Sequence, residues 1–193
     1  MPAGTLTGYA YLLDFDNAAA NSTATYGVSF AGATKLSDTL KLTYRVELAQ
    51  QSDSGSSALN YHVSYYDIEM GLAAKHGGLT LGHEVLGSDN NVGFKTPLAT
   101  LHAFNGWADV FLTTPGVGLR DTFLKVSASL PGGISLLAFE HWYEAVDGLD
   151  LGSEFNAQLT RKFGKSVTGI VKYADYQNVN TVRKFWVQVE FVY

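Results

Sequence analysis

Chemistry in this chain would have to come from a few histidines and a scatter of carboxylates. His83 and Glu84 adjoin, Asp89 follows them, and His141 lies far downstream. Acids and histidines of this kind serve proteolysis at the outer mouth of some ten-stranded membrane barrels, but no paired-aspartate motif accompanies them here. There is no Gly-x-Ser-x-Gly elbow, no His-Glu-x-x-His and no phosphate loop. No group of side chains has metal-ligand spacing, so neither metal nor cofactor is expected, and the chain reads as no enzyme. The other charges, Lys41, Arg45, Glu47, Asp67, Glu69, Lys125, Glu140, Glu154, Lys172, Lys184 and Glu190, stand at alternating positions among apolar residues. Charges set out in that way line a water-filled path and bias which ions pass.

Composition supports a wall around such a path. Charged residues make up 16% of the chain, against about 25% in ordinary globular proteins. Gly, Tyr and Phe are frequent and cysteine is absent. No apolar run approaches the ~18–20 residues of a membrane helix. A membrane protein of this composition must therefore cross with strands. The net charge of −5, with no basic patch interleaved with aromatics, gives no sign of nucleic acid as a partner. Met1-Pro-Ala-Gly lacks the features of a secretory leader, so the chain reads as a mature or shortened form.

The elements that must position the charges are strands. The last nine residues are the clearest case. Phe185, Val187, Val189, Phe191 and Tyr193 share one parity, and Lys184, Gln188 and Glu190 share the other. Such a strand has one apolar and one wet face. A final strand ending on an aromatic is the habit of outer-membrane barrels, where it resembles the signal read by the insertion machinery. The third strand is equally clean, with Leu40, Leu42, Tyr44, Val46 and Leu48 alternating with Lys41, Thr43, Arg45 and Glu47. About ten strands are expected. They cover 5–16, 23–33, 40–49, 61–75, 79–86, 120–130, 134–145, 151–163, 167–176 and 183–193. Tyr9, Tyr11, Leu13 and Phe15 share one face of the first. Leu137, Phe139 and Tyr143 are the outward candidates of the seventh. Tyr61, Val63 and Tyr65 are out of phase with Tyr66, Ile68 and Met70, which predicts a bulge or an extramembrane extension there. Tight Gly-rich turns alternate with longer polar loops, as in an up-and-down barrel. Lys35, Lys75, Arg161, Lys162 and Lys165 fall at the tight turns, and Asp14, Asp16, Asp53, Asp89, Asp147 and Asp150 at the long loops.

Several phrases resemble the alginate-export-like family of proteobacterial outer-membrane porins. They are Gly8-Tyr-Ala-Tyr-Leu-Leu-Asp-Phe-Asp-Asn17, the loop Phe94-Lys-Thr-Pro-Leu-Ala-Thr-Leu-His-Ala-Phe-Asn-Gly-Trp-Ala-Asp109, Gly152-Ser-Glu154 and Lys172-Tyr-Ala-Asp-Tyr176. The resemblance runs along the whole chain. It implies an outer-membrane β-barrel with a porin-like role. Family members are longer, and this chain is similar to their C-terminal half. It could then be a fragment of a larger porin, a small barrel closed by its own first and last strands, or part of a barrel completed by a partner.

The expectation is one all-β domain, a transmembrane antiparallel up-and-down β-barrel of about ten strands in the bacterial outer membrane. Its partners would be the lipid bilayer, lipopolysaccharide and the insertion machinery, with a homo-oligomer left open. Pore-lining residues would be Lys41, Arg45, Glu47, Glu69, Glu84, Lys125, Glu140, Glu154, Lys172 and Glu190. The long loop 87–119 would fold inward as a constriction, with Phe94, Lys95, His102, Phe104, Trp107 and Asp109. Passive passage of ions or small polar solutes is the leading function. A non-conducting structural or adhesive barrel is the rival.

Overall fold

A computed structural model describes residues 4–100, 102 and 104–192. It is all-β and antiparallel. Ten long strands are β1 (Thr5–Leu13), β2 (Thr23–Lys35), β3 (Leu40–Asp53), β4 (His62–Ala74), β5 (Gly77–Leu86), β8 (Leu119–Leu130), β9 (Ile134–Glu144), β10 (Asp150–Phe163), β11 (Val167–Gln177) and β12 (Thr181–Phe191). Each pairs with the next in chain order to make one ten-stranded sheet. Two short strands, β6 (Ser88–Asp89) and β7 (Val92–Gly93), form a hairpin inside the long loop. Among the described residues no helix is long and apolar enough to cross a membrane, which says nothing of crossing by strands.

The ladders assign every side chain to a face. Arg45 stands opposite Ala31 and Glu69, and Val46 opposite Phe30 and Ile68. The face of Arg45 is covered by the long loop and is called inner here; the face of Val46 is outer. On the outer face Leu48, Ile68, Met70, Leu81 and Phe155 are exposed apolar residues. Phe185, Val187, Val189 and Phe191 of β12 share that face and are among its most exposed members. Tyr193 lies outside the described residues.

Tyr9, Tyr11 and Leu13 share a face, as read from the sequence, and their pairing with Gly27, Thr25 and Thr23 makes it the inner one. The ring of Tyr9 lies over Gly27, where a Cβ would come within 2.2 Å of it. Two expectations are corrected. First, Leu137, Phe139 and Tyr143 also point inward, opposite Ser127, Lys125 and Asp121. Second, of the bulge or extension expected at the start of β4, the bulge is absent. The ladder of β4 with β3 runs unbroken from Leu40↔Ala74 to Ser52↔His62. Tyr61 and Val63 are simply buried inward. The ladder irregularity sits instead between Asp150 and Gly152 on β10.

One physical reason covers these inward faces. The upper part of the inner face is a hydrophobic core. Ala49, Tyr61, Val63, Leu86, Leu119, Tyr143, Ala174 and Tyr176 pack there with Phe94, Trp107 and Ala108 of the loop. Where a loop supplies the other half of a core, both faces of a strand can be apolar, and alternation weakens.

Candidate functional site

The inner face below that core is polar. Arg45 Nε donates to Asp67 Oδ2 at 2.9 Å and lies 3.9 Å from Glu69 Oε1. The same guanidinium pairs with Glu47 through Nη2. Tyr9 OH donates to the other oxygen of Glu47 at 2.6 Å. One cation thus serves three carboxylates on β3 and β4. Further round, Tyr65 OH donates to Glu84 Oε1 at 2.8 Å, and Asn105 Nδ2 donates to Glu84 Oε2 at 2.6 Å. His141 Nδ1 lies 2.9 Å from Asp121. Lys125 stands over the ring of Phe139.

The loop between β5 and β8 is fixed to this face along its length. Gln51 acts as a backbone mimic. Its Oε1 accepts from Lys95 N–H at 2.7 Å and its Nε2 donates to Lys95 C=O at 2.8 Å. Phe94 packs on Tyr65. Glu154 accepts from Ala108 N–H at 2.7 Å and Asn156 from Trp107 N–H at 3.1 Å. Gly106, at φ +89°, makes this approach feasible, because a Cβ there would stand 2.4 Å from both Glu154 Oε2 and Tyr143 OH.

The far end of the loop meets β11 and β12. Asp109 is shared. Its Oδ1 lies 2.6 Å from His102 Nδ1, and its Oδ2 accepts from Lys184 Nζ at 2.6 Å. Lys172 Nζ lies 3.0 Å from His102 Nε2 and 4.2 Å above the ring of Trp107. Partial burial works against the charge on Asp109, but hydrogen bonds from Lys184 and His102 outweigh it and hold the carboxyl below its ordinary range. Burial lowers the Lys95 ammonium from its usual value.

Two cavities flank the loop. The inner one, ≈ 400 Å³, is lined by Tyr9, Arg45, Glu47, Tyr65, Glu84 and Phe104 among others. The outer one, ≈ 540 Å³, lies at the long-loop end against Phe15, Leu59 and Asn91. Phe94, Lys95, Thr96, Pro97 and Leu112 border both. The segment 94–97 together with Leu112 therefore forms the partition between them.

The ladders place Lys41, Arg45, Glu47, Glu69, Glu84, Lys125, Glu154, Lys172 and Glu190 on the inner face. They do not converge on a single point. Lys41 and Glu190 are exposed near the tight-turn end, and Glu154 is buried under the loop. Glu140 is a correction. It pairs with Leu124 and Phe155 on the outer face. The inward set of β9 is Tyr143, His141, Phe139 and Leu137, the reverse of the parity read from sequence. Of the loop residues, Phe94 and Trp107 are buried, while Phe104 is 54% exposed and faces the inner cavity. Sequence reasoning missed Gln51, Asn105 and Asn156, which hold the loop. For Gln51 and Asn156 a signal was available, since uncharged amides on an inward parity are suited to bonding backbone groups; Asn105 sits in the loop, where no parity applies. Among the described residues no cluster of His, Asp and Glu is arranged to hold a metal. No protein-family model matches the chain, and no curated protein does either.

Proposed function

We propose that this chain is the wall and constriction of a porin-like outer-membrane channel for passive passage of ions or small polar solutes. The observation that carries the reading is the partition at Phe94–Pro97 and Leu112, with a cavity on either side of it. An apolar outer face, a charged inner face and an inward loop are the parts a gated pore requires. The phrases that resemble those of the alginate-export-like porins support the same reading. In this reading the sheet curls into a barrel whose outer face meets lipid. The long loops, with their acidic rim, face lipopolysaccharide. The apolar stripe of β12 is offered to the insertion machinery. Carboxylates outnumber cations around Arg45, so the path prefers cations.

The rival is a non-conducting structural or adhesive barrel. It draws support from the density of hydrogen bonds that fasten the loop. Planar-bilayer conductance separates the two. Leu98 and Leu112 border the inner cavity and are exposed, so trimming them spares the core. Stepwise conductance is expected from the native chain, and a several-fold larger step from Leu98→Ala/Leu112→Ala. No step above background from either protein would sink the channel reading.

A further inference from the structure

The inner cavity is walled mainly by rings. Tyr9 and Tyr11 of β1 stand 5.4 Å apart, and Tyr65 of β4 lies 5.3 Å from Phe94 of the loop. Phe104 and Phe111 complete the set. Tyr11 and Phe104 are exposed, so part of this aromatic surface is uncovered. The wall itself is firm. β1 to β5 pair in unbroken ladders, and Gln51 of β3 and Glu84 of β5 tie the loop to them. A cavity of about 150 Å³ is enough to bind benzene. At ≈ 400 Å³, this one has room for a ring and a substituent.

Most polar groups of the lining already have partners. Both oxygens of Glu47 are taken, one by Tyr9 OH and one by Arg45. Both oxygens of Glu84 are taken, by Tyr65 OH and Asn105 Nδ2. Arg45 also serves Asp67 and Glu69. Lys95 differs. Its Nζ donates to Ala20 C=O and stands 5.3 Å from the ring centre of Tyr61. Among the described residues no ion pair joins it to a carboxylate. An ammonium carries three donors, so Lys95 has donors left for a solute. Thr23 Oγ1, buried in the same lining, has no hydrogen-bond partner among the described residues.

From these observations we infer that the inner cavity binds an uncharged aromatic alcohol, a ring carrying a single hydroxyl. The ring lies against Tyr9, Tyr11 and Phe104, and the hydroxyl oxygen accepts from Lys95 Nζ. A sugar fits worse. Its several hydroxyls would face rings, or carboxylates whose donors are in place, and polar groups buried without partners cost affinity. Charge is disfavoured at both signs. The charged residues of the lining are Arg45, Lys95, Glu47 and Glu84, two of each sign. A cationic ring would meet the ammonium of Lys95. An anionic ring would lie against Glu47 and Glu84, with Arg45 already shared among three carboxylates. The inference deepens the channel reading and rests on it for the route by which a solute arrives.

Benzyl alcohol, benzoate and benzylammonium share one skeleton and differ in charge at neutral pH, so they test the site directly. The full chain in detergent micelles would be dialysed to equilibrium against protein-free micelles at equal detergent, which cancels uptake by the micelle. Saturable binding of benzyl alcohol is expected, with benzoate and benzylammonium weaker by about tenfold or more. Phe104→Ala removes an exposed ring and spares the core, and should weaken benzyl alcohol by about two- to tenfold. Lys95→Met keeps the backbone bonds to Gln51 and leaves carboxylates in excess. Benzylammonium should then tighten towards benzyl alcohol while benzoate stays excluded. A merely structural role for Lys95 would not change that order. No saturable uptake by the native chain overturns the inference. So does benzoate or benzylammonium binding as tightly as benzyl alcohol, or an order that Lys95→Met leaves unchanged. Binding without conductance would remove the channel and leave the site. Conductance without binding would do the opposite.

Discussion

Asp109 ties one end of the loop to the wall with a single carboxylate that serves both His102 and Lys184. Its depressed pKa gives the pH dependence a definite sign. A carboxylate favoured in the folded state contributes above its unfolded pKa, and that contribution is lost as pH falls through the folded value. The tie is therefore whole at neutral pH and down to about pH 4, and fails in stronger acid. Trp107 and Trp186 both border this anchor, so tryptophan fluorescence reports it. Asp109→Asn is expected to weaken the anchor by about 1 kcal/mol, the scale of a partly exposed ion pair. The difference between native and Asp109→Asn profiles should stay level to about pH 4 and close below it. A difference that closes above pH 5 would assign the tie to another group.

At the scale of the element, the faces of β3 and β9 make opposite demands. Val46 is outer and 41% exposed, and Thr43, three residues before it on the same strand, is inner. Val46→Arg should cost ~2–4 kcal/mol of folding into lipid, and Thr43→Arg about 0–1. Urea titration in lipid vesicles checks this, and equal losses would refute the face assignment. Glu140 is the odd member of β9, a carboxylate on the outer face between Leu124 and Phe155. In the membrane reading proposed above, Glu140→Leu should raise stability in vesicles by about 1 kcal/mol, since a charge that faces lipid is penalised and an acid less than a base. Removing Glu154 should do the reverse, because Ala108 N–H would lose its acceptor in a buried place. A loss of stability in Glu140→Leu would mean that Glu140 has a protein partner.

For the whole molecule, ten strands, their order and their antiparallel sense follow from alternation broken by tight turns. β3 and β12 were legible residue by residue. β1 and β9 were not, because Tyr9, Tyr143 and their neighbours are apolar residues that turn inward to meet the loop. Inward charges such as Arg45, Glu69 and Lys172 were legible from parity alone. Glu140 was misassigned because its strand carries bulky residues on both faces.

Alternation with period two is a local property, so the sequence by itself determined where strands run and which residues share a face. Which of two apolar faces turns inward depends on what packs against it, and that is a distant segment, Phe94 to Phe111. The position of that segment rests on amides and carboxylates from four strands, Gln51 of β3, Glu84 of β5, Asp121 of β8 and Glu154 and Asn156 of β10. Every residue of β1 and β12 encodes a strand, but which of them meet the loop, Tyr9 and Tyr11 on one and Lys184 and Trp186 on the other, only the tertiary structure decides, because the contacts join segments far apart in the chain.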